Sequence, residues 1–152
     1  MGHESSPATA TGRTARAACL PVAAFAAALG LTAPAFGASP AEIQAAYEAQ
    51  ARQATPTFGG FSASRGEQLY RSTHGNDWSC ASCHGSTPTS QGKHAKTGKL
   101  ISPLAPSADA QRFSDPAKVE KWFRRNCNDV LSRGCTPLEK GDVIAFLLRF
   151  GK

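Results

Sequence analysis

Apolar positions recur at helical spacing in four stretches of the chain, separated by polar, turn-rich segments. Ser39-Pro40 offers a capping residue followed by proline at the first helical position, and Ile43, Ala46, Tyr47 and Gln50 follow at i, i+3, i+4 and i+7. Ser62 can cap a second helix running to about His74, with Gly66, Leu69 and Tyr70 on one side. Ser114-Asp115-Pro116 opens a third helix, whose stripe is Val119, Trp122, Phe123 and Asn126. Thr136-Pro137-Leu138-Glu139 is a capping box, and Val143, Ile144, Leu147 and Leu148 line the helix behind it. Residues 75–113, between the second and third helices, are rich in Ser, Gly, Thr and Pro. A stretch that long without regular structure is expected to wrap something. No alternating pattern reads as a strand, so the expected fold is all-α.

Ahead of these helices, Arg13 and Arg16 precede an apolar run from Ala17 to Leu31, and small residues follow (TAPAFGAS). A charged start, a short apolar centre and an A-x-A-like end read as a secretory signal, with cleavage after Ala35 or, preferably, Gly37. The expected organisation is a signal peptide over 1–37, an N-terminal helix and linker over 38–60, and the main domain over 61–152. Export places the mature chain in the periplasm, and no apolar run reaches the length of a membrane span. Of 17 Lys+Arg and 11 Asp+Glu in the 152 residues, only Arg13, Arg16 and Glu4 lie in the signal, so the mature chain keeps a basic balance. Cys19 leaves as well, which retains Cys80, Cys83, Cys127 and Cys135 in an oxidising compartment.

Cys80-Ala81-Ser82-Cys83-His84 lies within the turn-rich stretch. C-x-x-C-H is the attachment signature of c-type haem: two thiols three residues apart add to the two vinyl groups of one porphyrin, and the histidine reaches the iron. Half of a zinc site is the bland alternative, and it would need two further ligands, for example Cys127 and Cys135. A thioredoxin-like pair is disfavoured because no βαβ pattern surrounds it. One covalently bound haem also supplies the apolar surface that so small a helical domain lacks, and the order of elements is that of class I cytochromes c with an extra N-terminal helix. In that arrangement the helix of Gly66 and Tyr70 is expected to cross the terminal helix near Ala145 and Leu148.

The usual sixth ligand, methionine, is absent, since the chain's one Met is Met1. His74 and His94 are candidates in polar, Gly-rich surroundings (STHGND and GKHAKTG). Asn126 completes the stripe of Val119, Trp122 and Phe123; it either faces the cofactor or caps the end of its helix. Cys127 and Cys135 directly follow and could close a short loop, worth about 2.5 kcal/mol at most on loop-entropy grounds. Arg112, Arg124, Arg125 and Trp122 are candidates for meeting haem propionates, with Trp122, Phe123 and Arg112 the pocket residues of choice.

The run TGKLISPLAPSADAQRFSD..KVEKWFRRNCNDVL.RGCTPLEKGDV resembles the sphaeroides haem protein family of periplasmic class I-like cytochromes c, and the resemblance extends from about Ser39 to the end. It implies that Asn126 is the axial ligand of the ferric haem, opposite His84, and that Cys127 and Cys135 form a disulfide. Pro103-Leu104 is either the counterpart of the family's proline whose backbone carbonyl orients the proximal histidine or a plain turn. The resemblance further implies that the amide leaves on reduction, opening the iron to O2, NO or CO, and that electrons come from a di-haem cytochrome c or a membrane cytochrome. The expected function is therefore one-electron transfer by a haem that can open to diatomic gases. Gas binding or sensing, or terminal reduction of oxygen or nitric oxide, are the alternatives; the last is weakened because His94 is the one loose candidate for an acid or base. Clustered Lys93, Lys96, Lys99, Lys118, Lys121 and Arg125 suit an acidic redox partner. No groove-reading motif points to nucleic acid, and after signal cleavage the chain is not a membrane protein.

Overall fold

The computed structural model describes residues 37–151, so the signal peptide expected over 1–37 lies outside them apart from Gly37. Five helices and one short hairpin follow in chain order: α1 (Pro40–Ala54), α2 (Ala63–Arg71), α3 (Cys80–His84), β1 (Gly92–Lys93), β2 (Leu100–Ile101), α4 (Pro116–Leu131) and α5 (Pro137–Leu148). Among the described residues, no helix is long and apolar enough to cross a membrane.

The helix starts are those the capping residues dictate. Ser39 with Glu42, and Thr136 with Glu139, form reciprocal boxes in which side chain and backbone satisfy each other's orphan groups. Ser62 and Asp115 cap α2 and α4 by accepting from Arg65 N and Lys118 N. The second helix ends at Arg71, short of the expected His74, because Ser72 leaves it in an extended conformation; the left-handed turn of His74 (φ 55°) and Gly75 (φ 82°) lies beyond that end. The buried face of α1 is Ile43, Tyr47 and Ala51; Ala46 and Gln50, expected on that stripe, are exposed.

Helix α5 is the hub, with α2 and α1 packed against it. Gly66 of α2 lies on the backbone of Asp142 and Val143, so close that a Cβ there would collide with the Asp142 carbonyl. The crossing therefore sits about a turn before the expected Ala145 and Leu148, and Leu148 is 36% exposed. Tyr70 and Phe146 continue the contact, their ring centroids 5.3 Å apart. Buried Asp142 ties the start of α2 to α5: its carboxylate accepts from Arg65 Nε at 2.7 Å, Arg65 Nη2 at 2.9 Å and Ser62 N at 2.6 Å. A buried carboxylate needs such a set of donors to offset its lost hydration.

Helix α1 joins the same core, with Ile43 and Tyr47 clustered beside Tyr70, Val119, Ile144 and Leu147. Tyr47 Oη donates to Glu120 at 2.9 Å, and buried Lys140 donates to both oxygens of that carboxylate at 2.7 and 2.8 Å. One acidic side chain on α4 thus fastens α1 and α5. The 75–113 stretch is more ordered than its composition implies. It contains α3, the antiparallel pair Gly92↔Ile101 and Lys93↔Leu100, and turns pinned where Leu104 N and Ala105 N both donate to Pro88 O. These two-residue strands are the one departure from an all-α fold among the described residues.

Candidate haem site

Helix α3 is a single turn, held at both ends. Ser79 and Ser82 form a capping box at its start, and Gly85 leaves it at φ 78°. The fully buried Tyr70 donates its hydroxyl to Gly85 O at 2.7 Å, which fixes the segment just after His84 to α2. From the other side Gly92 packs on the Cys83 carbonyl and the His84 Cα, where a Cβ has no room. Two thiols and an imidazole are thereby locked onto one wall of a cleft of about 760 Å³, within the usual range for cofactor pockets.

The opposite elements complete the cleft. Leu69, Tyr70, Val143 and Leu147 form an apolar floor, Leu104 and Phe113 belong to the long loop, and α4 contributes Val119, Trp122, Phe123, Asn126 and Val130. Phe123 packs edge-on against Tyr47, centroids 5.9 Å apart, so the α4 wall is seated on α1. Trp122, at 43% exposed, stands at the mouth with the Arg125 guanidinium 5.2 Å over its ring. Arg112 spends its donors on the loop itself: Nε to Pro103 O at 2.8 Å, Nη2 to Ser102 O at 2.7 Å, with Asp109 3.4 Å away. The Pro103 carbonyl accepts from Arg112, so among the described hydrogen bonds it is not one that orients His84.

The electrostatics suit a neutral donor set. Burial, then the nearby positive charge of Arg112 and then His94, pull His84 down to about 4, so its imidazole is neutral and free to ligate at neutral pH. Burial pushes the Cys80 thiol up to about 11, so it is not a standing thiolate. Tyr70 is raised by burial and by Cys80 beside it.

Helix α4 runs on to Leu131, so Asn126 is in its interior and the capping role left open by the sequence does not apply; Ser132, at φ 57°, takes that place. The Cys127 and Cys135 sulfurs are at bonding distance from each other, with Cα atoms 5.5 Å apart. They cannot complete a zinc site with Cys80 and Cys83, and among the described residues no cluster of three or more His, Cys, Asp or Glu stands ready to hold an ion. His74 is outside the cleft, with Nε2 3.0 Å from Leu69 O. His94 does line it, but from the wall of His84: its neighbour Ala95 donates to Cys83 Sγ at 3.4 Å, and its own Nδ1 accepts from Lys96 N and Thr97 N at 3.3 Å each. Two ties had no signal in the sequence. Asn76 donates to Val130 O at 2.6 Å, anchoring the approach to α3 on the end of α4, and Lys96 Nζ sits 4.6 Å over the Trp78 ring.

A helical domain that gathers two thiols and an imidazole from one turn onto an apolar cleft is cytochrome c-type in its fold. Solved structures share it. Oxidized SHP, an oxygen binding cytochrome c, matches with TM-score 0.63 and 45% identity over 73% of this chain and 96% of that one. Oxidized cytochrome c'' from Methylophilus methylotrophus matches with TM-score 0.66 and 37% identity over 74% and 95%. A solution structure of that second protein, concerned with the structural basis of haem-ligand detachment, matches with TM-score 0.64 and 37% identity over 74% and 94%. In sequence, the cytochrome c-type protein SHP of Cereibacter sphaeroides is 47% identical over 72% of this chain and 82% of its own length. Cytochrome c'' is 46% identical over 52% of this chain and 55% of its own length. The chain belongs to the sphaeroides haem protein family, and residues 56–147 match the family described as a domain of unknown function, DUF1924.

Proposed function

We propose that this protein is an exported mono-haem cytochrome c that passes single electrons and opens its haem to a diatomic gas when reduced. One haem, held by thioethers to Cys80 and Cys83, would supply a one-electron iron centre and a gas-binding position. His84 is the proximal ligand, kept neutral by burial. Asn126 would hold the iron with His84 in the ferric state, and its interior place on α4, lining the same cleft as His84, is the observation that carries the reading. A carboxamide oxygen is a hard, neutral, weak donor, so it favours ferric over ferrous iron and withdraws on reduction. The freed amide stays in the pocket, where it can donate a hydrogen bond to the bound gas. Phe123 and Val119 exclude water beside it. The Cys127–Cys135 disulfide, expected in the periplasm after signal cleavage, braces the helix directly behind this ligand. The electron donor is a di-haem cytochrome c or a membrane cytochrome. Oxygen binding by the related SHP and ligand detachment in cytochrome c'' support this reading.

Absorption spectra of the purified protein test it. The ferric form should be low-spin, and the reduced form should be high-spin and bind carbon monoxide. Asn126→Ala should make the ferric form high-spin or water-ligated while the haem stays attached. An unchanged ferric spectrum in Asn126→Ala, with a change in His94→Ala, would replace the reading with a bis-histidine carrier.

A further inference from the structure

We propose that the hairpin over residues 92–101 is the docking surface for an electron-donor protein whose own face is rich in carboxylates. The proposal rests on the haem reading above, and it assigns the place where electrons enter. From Trp78 to Ala108 the chain contains no Asp or Glu, yet it holds Lys93, Lys96 and Lys99. All three lysines are exposed, and among the described residues none lies within ion-pair distance of a carboxylate. Elsewhere the exposed cations are often internally paired, as Arg52 is with Glu48 and Arg71 with Glu67. Exposed cations outside these ion pairs also lie on α4 (Lys118, Lys121, Arg124 and Arg125), but there Asp115, Glu120 and Asp129 accompany them, whereas on the hairpin no acidic residue does.

That element has the other attributes of a docking site. Leu100 is 69% exposed beside Lys99 and, among the described residues, is the most exposed of the large apolar side chains. It provides an apolar centre within a charged rim, which suits a small, short-lived redox contact. Lys96 is steadied over Trp78, and the tight turn is held by His94 N donating to Lys99 O at 2.8 Å and Gly98 N donating to His94 O at 2.9 Å. The charges are thus displayed on a fixed frame. The hairpin also rests directly on the attachment turn, through Gly92 on the Cys83 carbonyl and Ala95 N on Cys83 Sγ. A donor seated there is in contact with the segment bonded to the cofactor's edge. In the transfer, the donor's reduced cofactor loses one electron and is oxidised, and the ferric iron gains it and becomes ferrous.

Stopped-flow reduction of the ferric holoprotein by reduced flavodoxin, an acidic protein donor, tests the assignment. The combined variant Lys93→Glu, Lys96→Glu, Lys99→Glu should slow the second-order reaction about tenfold at low ionic strength. It should also flatten or invert the fall in rate with added salt. The variant Arg52→Glu, Arg71→Glu, Arg149→Glu, which changes net charge equally at other exposed sites, should slow it far less. With hexaammineruthenium(II), a small cationic donor, the lysine variant should react as fast as the parent or faster. Equal slowing by both triple variants, or slowing of the lysine variant with both donors, would overturn the docking surface. Those outcomes leave the haem spectra intact. Failure of the haem reading would instead show in the parent's spectrum and carbon monoxide response.

Discussion

At the scale of single residues, Asn126 shows how the same side chain reads differently once its helix is bounded. In the sequence it could close a helix or complete a stripe, because Asn is common at both kinds of position and nothing local marks the end of α4. The structure continues the helix through Cys127 to Leu131 and gives the cap to Ser132, which removes the capping reading. Cys80, Cys83 and His84 were legible from spacing alone, since their chemistry needs them on one turn. The ties that hold them were not. Tyr70 to Gly85, Asn76 to Val130 and Arg112 to Pro103 each join a side chain to a backbone atom distant in sequence, and backbone acceptors leave no trace in residue identity. Substituting Asn126 by a stronger donor separates ligation from packing. Asn126→His or Asn126→Met should move the reduced protein toward low spin and suppress carbon monoxide binding, read from the Soret and visible bands.

At the scale of elements, the starts of the four expected helices followed from their caps, whereas the single turn of α3, the packing contacts and one helix end did not. The α2 end moved because Ser72 turns extended ahead of the left-handed His74-Gly75, and hydrophobic periodicity registers neither. The crossing of α2 and α5 moved because Gly66 lets backbone meet backbone, and a missing side chain leaves no mark in an apolar pattern. Gly66→Ala should therefore cost about 1–3 kcal/mol, the usual penalty for forcing atoms into a filled contact, and chemical denaturation would measure it. The start of α5 offers a pH-dependent test. The hydrogen bond from Arg133 holds the Glu139 carboxyl below its ordinary value of 4.5, against the opposing effect of burial and with help from the Thr136 amide. A carboxylate whose pKa is lowered on folding stabilises the fold fully above its unfolded pKa, and the benefit is lost as pH falls through the native value. Glu139→Gln keeps an acceptor for the capping box and loses the charge, so it should destabilise by no more than about 1 kcal/mol near neutrality, through the Arg133 pair and the helix N-terminus. The gap should close as the solution is acidified below pH 4.5.

At the scale of the whole molecule, one carboxylate on α4, one on α5 and a single apolar cleft join four helices that the sequence presents as separate amphipathic segments. The N-terminal helix belongs to that unit through Ile43, Tyr47 and the Glu120–Lys140 pair. Its place was not legible, because the stripe read from spacing included exposed Ala46 and missed buried Ala51. The cysteines give a test of the whole chain in its compartment. In protein purified from the periplasm and unfolded without reductant, maleimide labelling should find no free thiol: Cys80 and Cys83 are taken by thioethers, and Cys127 by Cys135. Labelling at Cys127 or Cys135 would refute the bridge, and haem extracted by acid-acetone would refute the thioethers.

The interior position of Asn126 also sets the tempo of any switch it operates. Its backbone is hydrogen-bonded within α4 on both sides, and the sulfur of the following residue lies at bonding distance from that of Cys135. The main chain cannot swing without unwinding turns, so the amide has to move by rotation about its own side-chain bonds. Within a helix one of the three χ1 wells is closed by the preceding turn, which leaves essentially two orientations. Rotamer exchange of this kind takes pico- to nanoseconds when unhindered, far below the micro- to milliseconds of loop and domain motions. The gate would then be a binary, low-inertia element, and the pace of gas capture would be governed by how fast electrons and gas arrive.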